Sequence, residues 1–297
     1  MSRVVGQALD LSTPSEVADG LRHLQLPLQR CDLAAEVRRL LVAKGIVHKP
    51  VPLEDLHLHL SADMQRPDEN GLNAVTRAFY ETDSAFTDKY LEVIRHLARE
   101  VFTFDFLFQA TPTMRFHFPV RFVESFRDES GHYLGHHNDG MLGHSVYEVN
   151  CWMPLTDCIR SAALQIASLA DSIHLLRDFS AAFGHDADVF HSQGRTLFVD
   201  RLFKDRVFRE ETLRATRAVD MKYGDILVFD SRCIHATAEN EERKTRISLD
   251  FRLIPLARYQ ALGRLHASRG RSKRKFVRGD VFSQLSSAQL LSSMAAH

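Results

Sequence analysis

Two distant stretches of the chain carry side chains that could share one metal ion. His137 and Asp139 lie two residues apart within 135–140, and His235 follows an apolar run in the second half of the chain. In a strand or tight turn, residues i and i+2 point to the same side, so His137 and Asp139 can meet one cation. Two imidazoles and one carboxylate cover one face of a transition metal and leave other positions open. The sequence therefore predicts a metal site formed by His137, Asp139 and His235.

A candidate anion site follows the second histidine. Arg246 and Ser248 lie two residues apart on a strongly alternating segment. Arginine keeps its charge and can hold a carboxylate through two parallel hydrogen bonds, which lysine cannot do. A serine one strand step further can donate to the same anion. The alternative is a salt bridge from Arg246 to Asp250 or Glu242, which would leave no anion site.

Composition and charge argue against several classes of protein. The 297 residues can bury a full core, and 38 Lys and Arg balance 38 Asp and Glu, so no net field favours nucleic acid or membrane. No charged leader with an apolar run and no long uncharged apolar stretch occurs, so we expect neither a signal peptide nor membrane insertion. The 4 cysteines lack C-x-x-C spacing and indicate free thiols in a reducing compartment. We predict a cytoplasmic protein.

Helical periodicity is the main signal in residues 1–100, which we interpret as a helical N-terminal extension. Residues 12–47 fit a helical segment that begins with a capping box at 13–16, and 53–60 fits either a strand or a helix. The best-defined helix is predicted over 85–100, because its apolar residues recur at helical spacing. Those apolar residues are Phe86, Tyr90, Val93, Ile94, Leu97 and Val101.

Period-two alternation begins near residue 101 and predicts a run of short strands. Strands are expected at 102–108, 115–122, 147–155, 162–166, 226–229 and 247–253, with weaker candidates at 196–199 and 218–221. The segment 168–190 is expected to be irregular or briefly helical. Such a run fits a mainly β sandwich or barrel with the N-terminal helices packed on one sheet. We assign 101–256 to this core and 257–297 to a basic, partly helical C-terminal extension, all within one integrated domain.

The order of the motifs along residues 101–255 resembles that of the Fe(II)/2-oxoglutarate-dependent oxygenases. It is most similar to the phytanoyl-CoA hydroxylase-like group, with the streptomycin-biosynthesis-type and Kdo hydroxylases. The motifs are, in chain order, His137-x-Asp139, Asn150, Trp152, Gly224-Asp225, His235, Asn240, Arg246 and Ser248. The resemblance implies a double-stranded β-helix, also called a jelly roll or cupin-like fold, with iron between two sheets. It also implies that a C–H bond, O₂ and 2-oxoglutarate give an alcohol, succinate and CO₂.

The resemblance also implies residues for the co-substrate. Arg246 and Ser248 would bind the distal carboxylate of 2-oxoglutarate. Asn150 and Gln165 could contact its iron-side carboxylate, although each could equally be a buried amide satisfied within the fold. Arg115 shares a predicted strand face with His117 and Arg121, and it could bind 2-oxoglutarate or an anionic substrate. An outward salt bridge is the alternative for Arg115.

One departure from the family pattern concerns the substrate pocket. Many relatives carry a turn that resembles P-G-S-H, but the corresponding stretch at 167–174 contains neither glycine nor proline. The substrate class is therefore not transferred from the resemblance. By contrast, Asp139 is retained, and this disfavours halogenation, because relatives that halogenate have a small residue there.

We predict an enzyme that hydroxylates an unactivated C–H bond of a small polar or anionic substrate, such as a sugar, an amino acid or a natural-product intermediate. Fe(II), 2-oxoglutarate and O₂ are the expected cofactors. A cupin-type metal-dependent isomerase or hydrolase, a nucleic-acid demethylase and a non-catalytic binding protein are the alternatives. Zero net charge and the lack of interleaved aromatic and basic residues disfavour the demethylase.

Overall fold

The computed structural model describes residues 20–68, 72–119, 135–142, 144, 147–183, 194–260 and 282–283. The strands are β1 (Leu21–Gln25), β2 (Phe106–Gln109), β3 (Thr113–His117), β4 (Val149–Pro154), β5 (Leu164–Ile166), β6 (Arg217–Val219), β7 (Asp225–Asp230), β8 (His235–Thr237), β9 (Arg246–Pro255) and β10 (Phe282–Ser283). The α-helices are α1 (Leu33–Ala43), α2 (Ala62–Gln65), α3 (Ala74–Ala78), α4 (Ser84–His96), α5 (Leu169–Phe183), α6 (Gly194–Lys204) and α7 (Arg206–Ala215). Short 3₁₀ or π turns cover Leu53–His59, Leu97–Val101, Asp139–Leu142 and Arg160–Ala162.

These strands form two antiparallel sheets that pack on each other. The larger sheet has the order β1-β7-β4-β9-β2-β10, with β3 pairing the first half of β9, and the smaller has the order β6-β5-β8. Trp152 and Phe229 from the larger sheet share a buried cluster with Leu164 and Ile166 from the smaller sheet. The expected mainly β fold, with a double-stranded β-helix core and flanking helices, is therefore confirmed.

Strand β9 is the central element of the larger sheet. Its alternating sequence gives it one apolar face, with Ile247, Leu249, Phe251 and Leu253 buried in the main core. Helices α1 and α4 cover this face, and the Tyr90 ring of α4 packs edge-on against Phe251 with ring centroids 5.3 Å apart. The even-numbered residues of β9 must then point to the opposite face, which the smaller sheet covers.

A second layer of helices covers the smaller sheet. Phe179 of α5, Phe198 of α6 and Phe208 of α7 form one aromatic cluster, with ring centroids 5.0 to 6.3 Å apart. Met141 and Ile234 are buried in the same cluster. Because they are close in sequence to Asp139 and His235, the helical layer supports both stretches that carry predicted metal ligands.

Several sequence-based predictions of local structure are confirmed. The helix expected at 85–100 is present as α4 and the following π turn, and strands occur within 147–155, 162–166, 226–229 and 247–253 as expected. Gly45 has a left-handed φ of 68° after α1, which glycine adopts without steric cost.

Other predictions of local structure are wrong. Residues 12–47 are not one helical segment, because Leu21–Gln25 pairs with β7 as an edge strand before α1 begins. The strand expected at 196–199 lies within α6, where Phe198 joins the aromatic cluster, and 168–183 is a long helix instead of an irregular segment. The strand expected at 102–108 begins only at Phe106.

Some expectations concern residues outside the described ranges. These are the capping box at 13–16, residues 120–122 of the strand expected at 115–122, and the basic run at 269–275. In the described part of the chain, no helix is both long and apolar enough to cross a membrane. The boundaries at 100 and 256 remain predictions, although β1 shows that the segment 1–100 also contributes a strand to the larger sheet.

Candidate metal and anion site

The structure brings His137, Asp139 and His235 together. His137 and His235 form an antiparallel bridge in which each backbone N–H donates to the carbonyl of the other, at 3.0 and 2.8 Å. The Asp139 backbone N–H donates to the Ser231 carbonyl at 3.2 Å, and this contact holds the start of the Asp139–Leu142 turn beside the end of β7. One potential ligand atom from each of the three side chains lies within 4.8 Å of the other two.

Both imidazole rings are oriented by a backbone carbonyl two residues earlier. His137 Nδ1 lies 2.9 Å from the Gly135 carbonyl oxygen, and His235 Nδ1 lies 3.0 Å from that of Cys233. A carbonyl only accepts, so each Nδ1 carries the proton and each Nε2 keeps a free lone pair. Burial is the main cause that lowers the pKa of His137 well below its ordinary value. His137 is therefore neutral, which is the form that binds a metal.

Asp139 is the buried anion of this group. Burial by itself raises the pKa of its carboxyl group, but the neighbouring Arg252 guanidinium is the main cause that holds the pKa well below its usual range. Arg252 Nε donates to Asp139 Oδ2 at 2.7 Å, while Asp139 Oδ1 lies 3.7 Å from His235 Nε2. The carboxylate therefore offers Oδ1 on the side of the histidines.

Arg252 was not singled out in the sequence, although a signal for it existed. Arg252 lies on β9 an even number of residues after Arg246 and Ser248, so the alternation of side chains along the strand directs all three to one face. Its partner Asp139 is remote in sequence, and no local pattern predicts that contact.

Arg246 lies at the other end of this face of β9. It is only 2% exposed, and Nη1 reaches the Ala162 carbonyl at a distance of 3.5 Å. Within the described residues, Arg246 Nε and Ser248 Oγ have no hydrogen-bond partner, and no carboxylate forms a salt bridge with Arg246. Burial is the main cause that lowers the pKa of Arg246 from its ordinary value. The alternative of a salt bridge to Asp250 or Glu242 is not observed.

Strand β4 contributes Asn150 to the same pocket. Asn150 pairs with Arg252 in the sheet register, and it is 5% exposed. Neither its amide nitrogen nor its amide oxygen has a partner among the described residues. Trp152 lies one strand step further on this face, and its ring is 5.8 Å from the Arg246 guanidinium carbon. Asn150 therefore presents both a donor and an acceptor to whatever occupies the pocket.

Arg115 and Gln165 differ from the other predicted cofactor residues. Arg115 lines the pocket, but its Nε donates to Asp250 Oδ2 at 3.1 Å and its side chain is 43% exposed, so its charge already has a partner. Gln165 lies on the outer face of β5, between Leu164 and Ile166, which are buried against the larger sheet, and it donates weakly to the Arg160 carbonyl at 3.4 Å. The structure therefore does not bring Gln165 to the site predicted for it. Arg121 lies outside the described residues.

The other histidines near the metal motif make separate contacts. His136 Nε2 lies 3.2 Å from Thr216 Oγ1, and burial lowers the pKa of His136 to about 4. His144 Nδ1 lies 3.0 Å from the buried carboxylate of Glu148. Neither residue belongs to the group of three potential ligands in the described residues.

The donor set and the unpartnered polar atoms fit a divalent metal with a dicarboxylate co-substrate. Two neutral imidazoles and one carboxylate suit Fe(II) and leave positions free. Buried polar groups are normally hydrogen-bonded, so the partnerless atoms of Arg246, Ser248 and Asn150 indicate a missing ligand. Arg246 and Ser248 lie on β9, the strand that also carries Arg252, the partner of Asp139. Asn150 lies on the neighbouring strand β4.

Comparisons with known proteins give one sequence match and several structural alignments. No model of a known protein family matches the chain. The streptomycin biosynthesis protein StrG of Streptomyces griseus is 27% identical over 135 residues, which cover 45% of this chain and 44% of StrG. The match therefore spans less than half the length of that relative.

Solved structures with a similar fold include two enzymes of nogalamycin biosynthesis. The α-ketoglutarate-dependent non-haem epimerase SnoN is 13% identical with a TM-score of 0.42, over 80% of this chain and 78% of SnoN. The α-ketoglutarate-dependent non-haem carbocyclase SnoK is 12% identical with a TM-score of 0.43, over 96% of both chains. The chain is therefore similar in sequence to part of StrG, and it aligns in structure with SnoN and SnoK.

Proposed function

We propose that the chain is a non-haem Fe(II)- and 2-oxoglutarate-dependent oxygenase. The observation that carries this proposal is the buried, unpaired guanidinium of Arg246 in the pocket that also contains the three potential metal ligands. A charge without a partner in a protein interior costs several kcal/mol, and binding of an anion would offset that cost. A metal enzyme that acts on a neutral small molecule has no need for it.

2-Oxoglutarate carries groups that could bind at both ends of this pocket. Its distal carboxylate would bind Arg246 through charge-assisted hydrogen bonds, and the Ser248 hydroxyl would donate to it. Its other carboxylate and its keto oxygen would lie towards the metal, where the amide nitrogen of Asn150 is a free donor. Bound Fe(II) with this co-substrate would supply the activation of O₂ and the oxidation of a C–H bond.

The chain's own residues hold and isolate these groups. His137, Asp139 and His235 would bind the metal through two Nε2 atoms and Oδ1, the atoms that their present hydrogen bonds leave free. Apolar side chains from both sheets line the pocket and limit the access of water. These side chains are Trp152, Leu164 and Phe229.

For the reaction, we propose hydroxylation of a small polar or anionic substrate. The substrate would enter beside Gln65, Leu72 and Asn73, which line the pocket on the side of the N-terminal helices, and beside Arg195 of α6. The salt bridge between Arg115 and Asp250 weakens the argument for an anionic substrate, because it neutralises the cation on which that argument rests. The match to StrG supports a natural-product intermediate among the candidates.

Succinate formation tests this function without knowledge of the substrate, because many such enzymes turn over 2-oxoglutarate slowly on their own. We expect purified protein to form succinate only when Fe(II), O₂ and 2-oxoglutarate are all present. Substitution Arg246→Ala should reduce this activity at low 2-oxoglutarate, whereas Arg201→Ala, at a salt-bridged arginine of α6, should not. Absence of succinate from the metal-loaded wild type, with and without a panel of small polar compounds, would contradict the proposal.

A cupin-type isomerase or hydrolase is the second candidate, because the metal site alone would serve it. It predicts that a divalent metal binds but that 2-oxoglutarate neither binds nor is consumed. Equilibrium binding of 2-oxoglutarate to the metal-loaded protein separates the two functions.

A further inference from the structure

We propose that Arg252 is a positioning residue that presents Asp139 to the metal through one oxygen atom. This inference rests on the proposed metal site and deepens it. Arg252 Nε donates to Asp139 Oδ2 at 2.7 Å, so this oxygen is occupied before any metal arrives. The other oxygen, Oδ1, lies on the side of His235, 3.7 Å from its Nε2.

The guanidinium of Arg252 is itself held from several sides. Nη1 lies 3.4 Å from Gln109 Oε1, and Nε lies 3.8 Å from Glu148 Oε2. Its backbone belongs to the middle of the larger sheet, where β9 pairs with β4 through Arg252 and Asn150. Because the side chain is only 13% exposed, these contacts are shielded from competing water. Arg252 is therefore a rigid support for the carboxylate.

The charge of Arg252 is balanced within this cluster. Asp139 is 2% exposed and the Glu148 side chain is fully buried, so two carboxylates share the one guanidinium. An isolated arginine beside the site would repel a divalent cation. Here Glu148 offsets that repulsion, and the remaining effect of Arg252 is to fix the orientation of Asp139.

The orientation matters because a free carboxylate can use both of its oxygens. A buried Asp139 without Arg252 could rotate about its side-chain torsions and present Oδ2 as well as Oδ1 towards the histidines. Hydrogen bonds from the protein to ligating carboxylates normally set this choice, and their loss typically lowers metal affinity about 10- to 100-fold. Arg252 therefore keeps one coordination position free for a small molecule.

Binding of Co(II) to the metal-free full-length protein tests this role without turnover. The variants are Arg252→Gln, Arg252→Lys and the matched control Arg201→Gln. The Arg201 side chain is also 13% exposed, but its salt bridges are to Asp178 of α5 and to Asp205 at the start of α7 instead of Asp139. Calorimetry gives the dissociation constant, and the intensity of the visible Co(II) bands reports the coordination number.

We expect Arg252→Gln to weaken Co(II) binding about 10- to 100-fold and to change the visible bands. Arg252→Lys should be intermediate, because lysine restores a point charge but not the planar fork. Arg201→Gln should bind Co(II) as the wild type does. Circular dichroism identifies any variant that fails to fold, and the lysine variant then decides the question.

Different results would contradict the proposed metal site and the proposed role of Arg252. If the wild type does not bind Co(II), the proposed metal site is wrong. If the wild type binds Co(II), but the folded Arg252 variants bind it as tightly as the wild type or more tightly, or show unchanged visible bands, the role of Arg252 is wrong and the metal site stands.

Discussion

Arg246 and Arg252 lie on the same face of strand β9 and line the same pocket, but their surroundings are opposite. Arg252 contacts two buried carboxylates, Asp139 and Glu148. Arg246 has no carboxylate partner within the described residues, and its Nε makes no hydrogen bond. The paired arginine can support the fold and the metal ligand at all times. The unpaired arginine is satisfied only when an anion enters from outside.

The difference between Arg246 and Arg252 has an energetic consequence. Removal of one partner from a buried charge pair costs about 3–5 kcal/mol, because the other charge is left without compensation. Arg252 already benefits from such pairing in the free protein, whereas Arg246 gains it only on binding. The same residue type therefore stabilises the protein at one end of the strand and provides binding energy for a ligand at the other.

The largest expected effect is that of Arg246→Ala on 2-oxoglutarate binding. Loss of about 3–5 kcal/mol corresponds to a dissociation constant about 150- to 4,000-fold higher. Calorimetry with the Mn(II)-loaded protein measures this constant without turnover, and Mn(II) affinity should not change. Arg201→Ala is the control for general effects of losing an arginine. A change of less than threefold in Arg246→Ala would show that Arg246 does not bind the co-substrate.

The second expected effect is that Arg246→Met and Arg252→Met change the free energy of unfolding in opposite directions. Arg246→Met should raise the unfolding free energy of the metal-free protein by about 1–3 kcal/mol, because it removes an unpaired buried charge. Arg252→Met should lower it by about 3–5 kcal/mol, because Asp139 and Glu148 lose their common partner. Denaturant titrations of the two variants measure both changes. Changes of the same sign would remove the distinction between the two ends of β9.

Ser248→Ala should have the smallest effect. The Ser248 hydroxyl would donate one hydrogen bond to a charged carboxylate, and loss of about 1.5 kcal/mol raises the dissociation constant of 2-oxoglutarate roughly tenfold. The same calorimetric titration measures it. An effect as large as that of Arg246→Ala would assign the main anchor to Ser248 instead.

Regular elements with a strong internal period were predictable from the sequence. Helix α4 and strand β9 each repeat apolar residues with one period, and both bury the faces expected. Helix α6 was mistaken for a strand because the residues around Phe198 favour strands locally. Packing of Phe198 against Phe179 and Phe208 overrides that preference, and no pattern within α6 predicts those partners.

Residues of the candidate site were predictable where alternation along a strand determines the face on which a side chain lies. Arg246 and Ser248 share a face of β9 because they lie two residues apart, and the structure places both on the buried side. Gln165 lies on a strand that spans only Leu164–Ile166, which is too short for alternation to identify its inner face. The contact between Arg252 and Asp139 depends on tertiary structure and could not be read from either stretch alone.

The central claim is tested most directly by an anaerobic titration of the full-length protein with Fe(II) and 2-oxoglutarate, followed by visible absorption. We predict a weak band towards the red end of the spectrum that appears only when both are present. The band should be absent in His235→Ala, which removes one of the three proposed ligands. No band in the wild type, or an equal band in His235→Ala, would contradict the account.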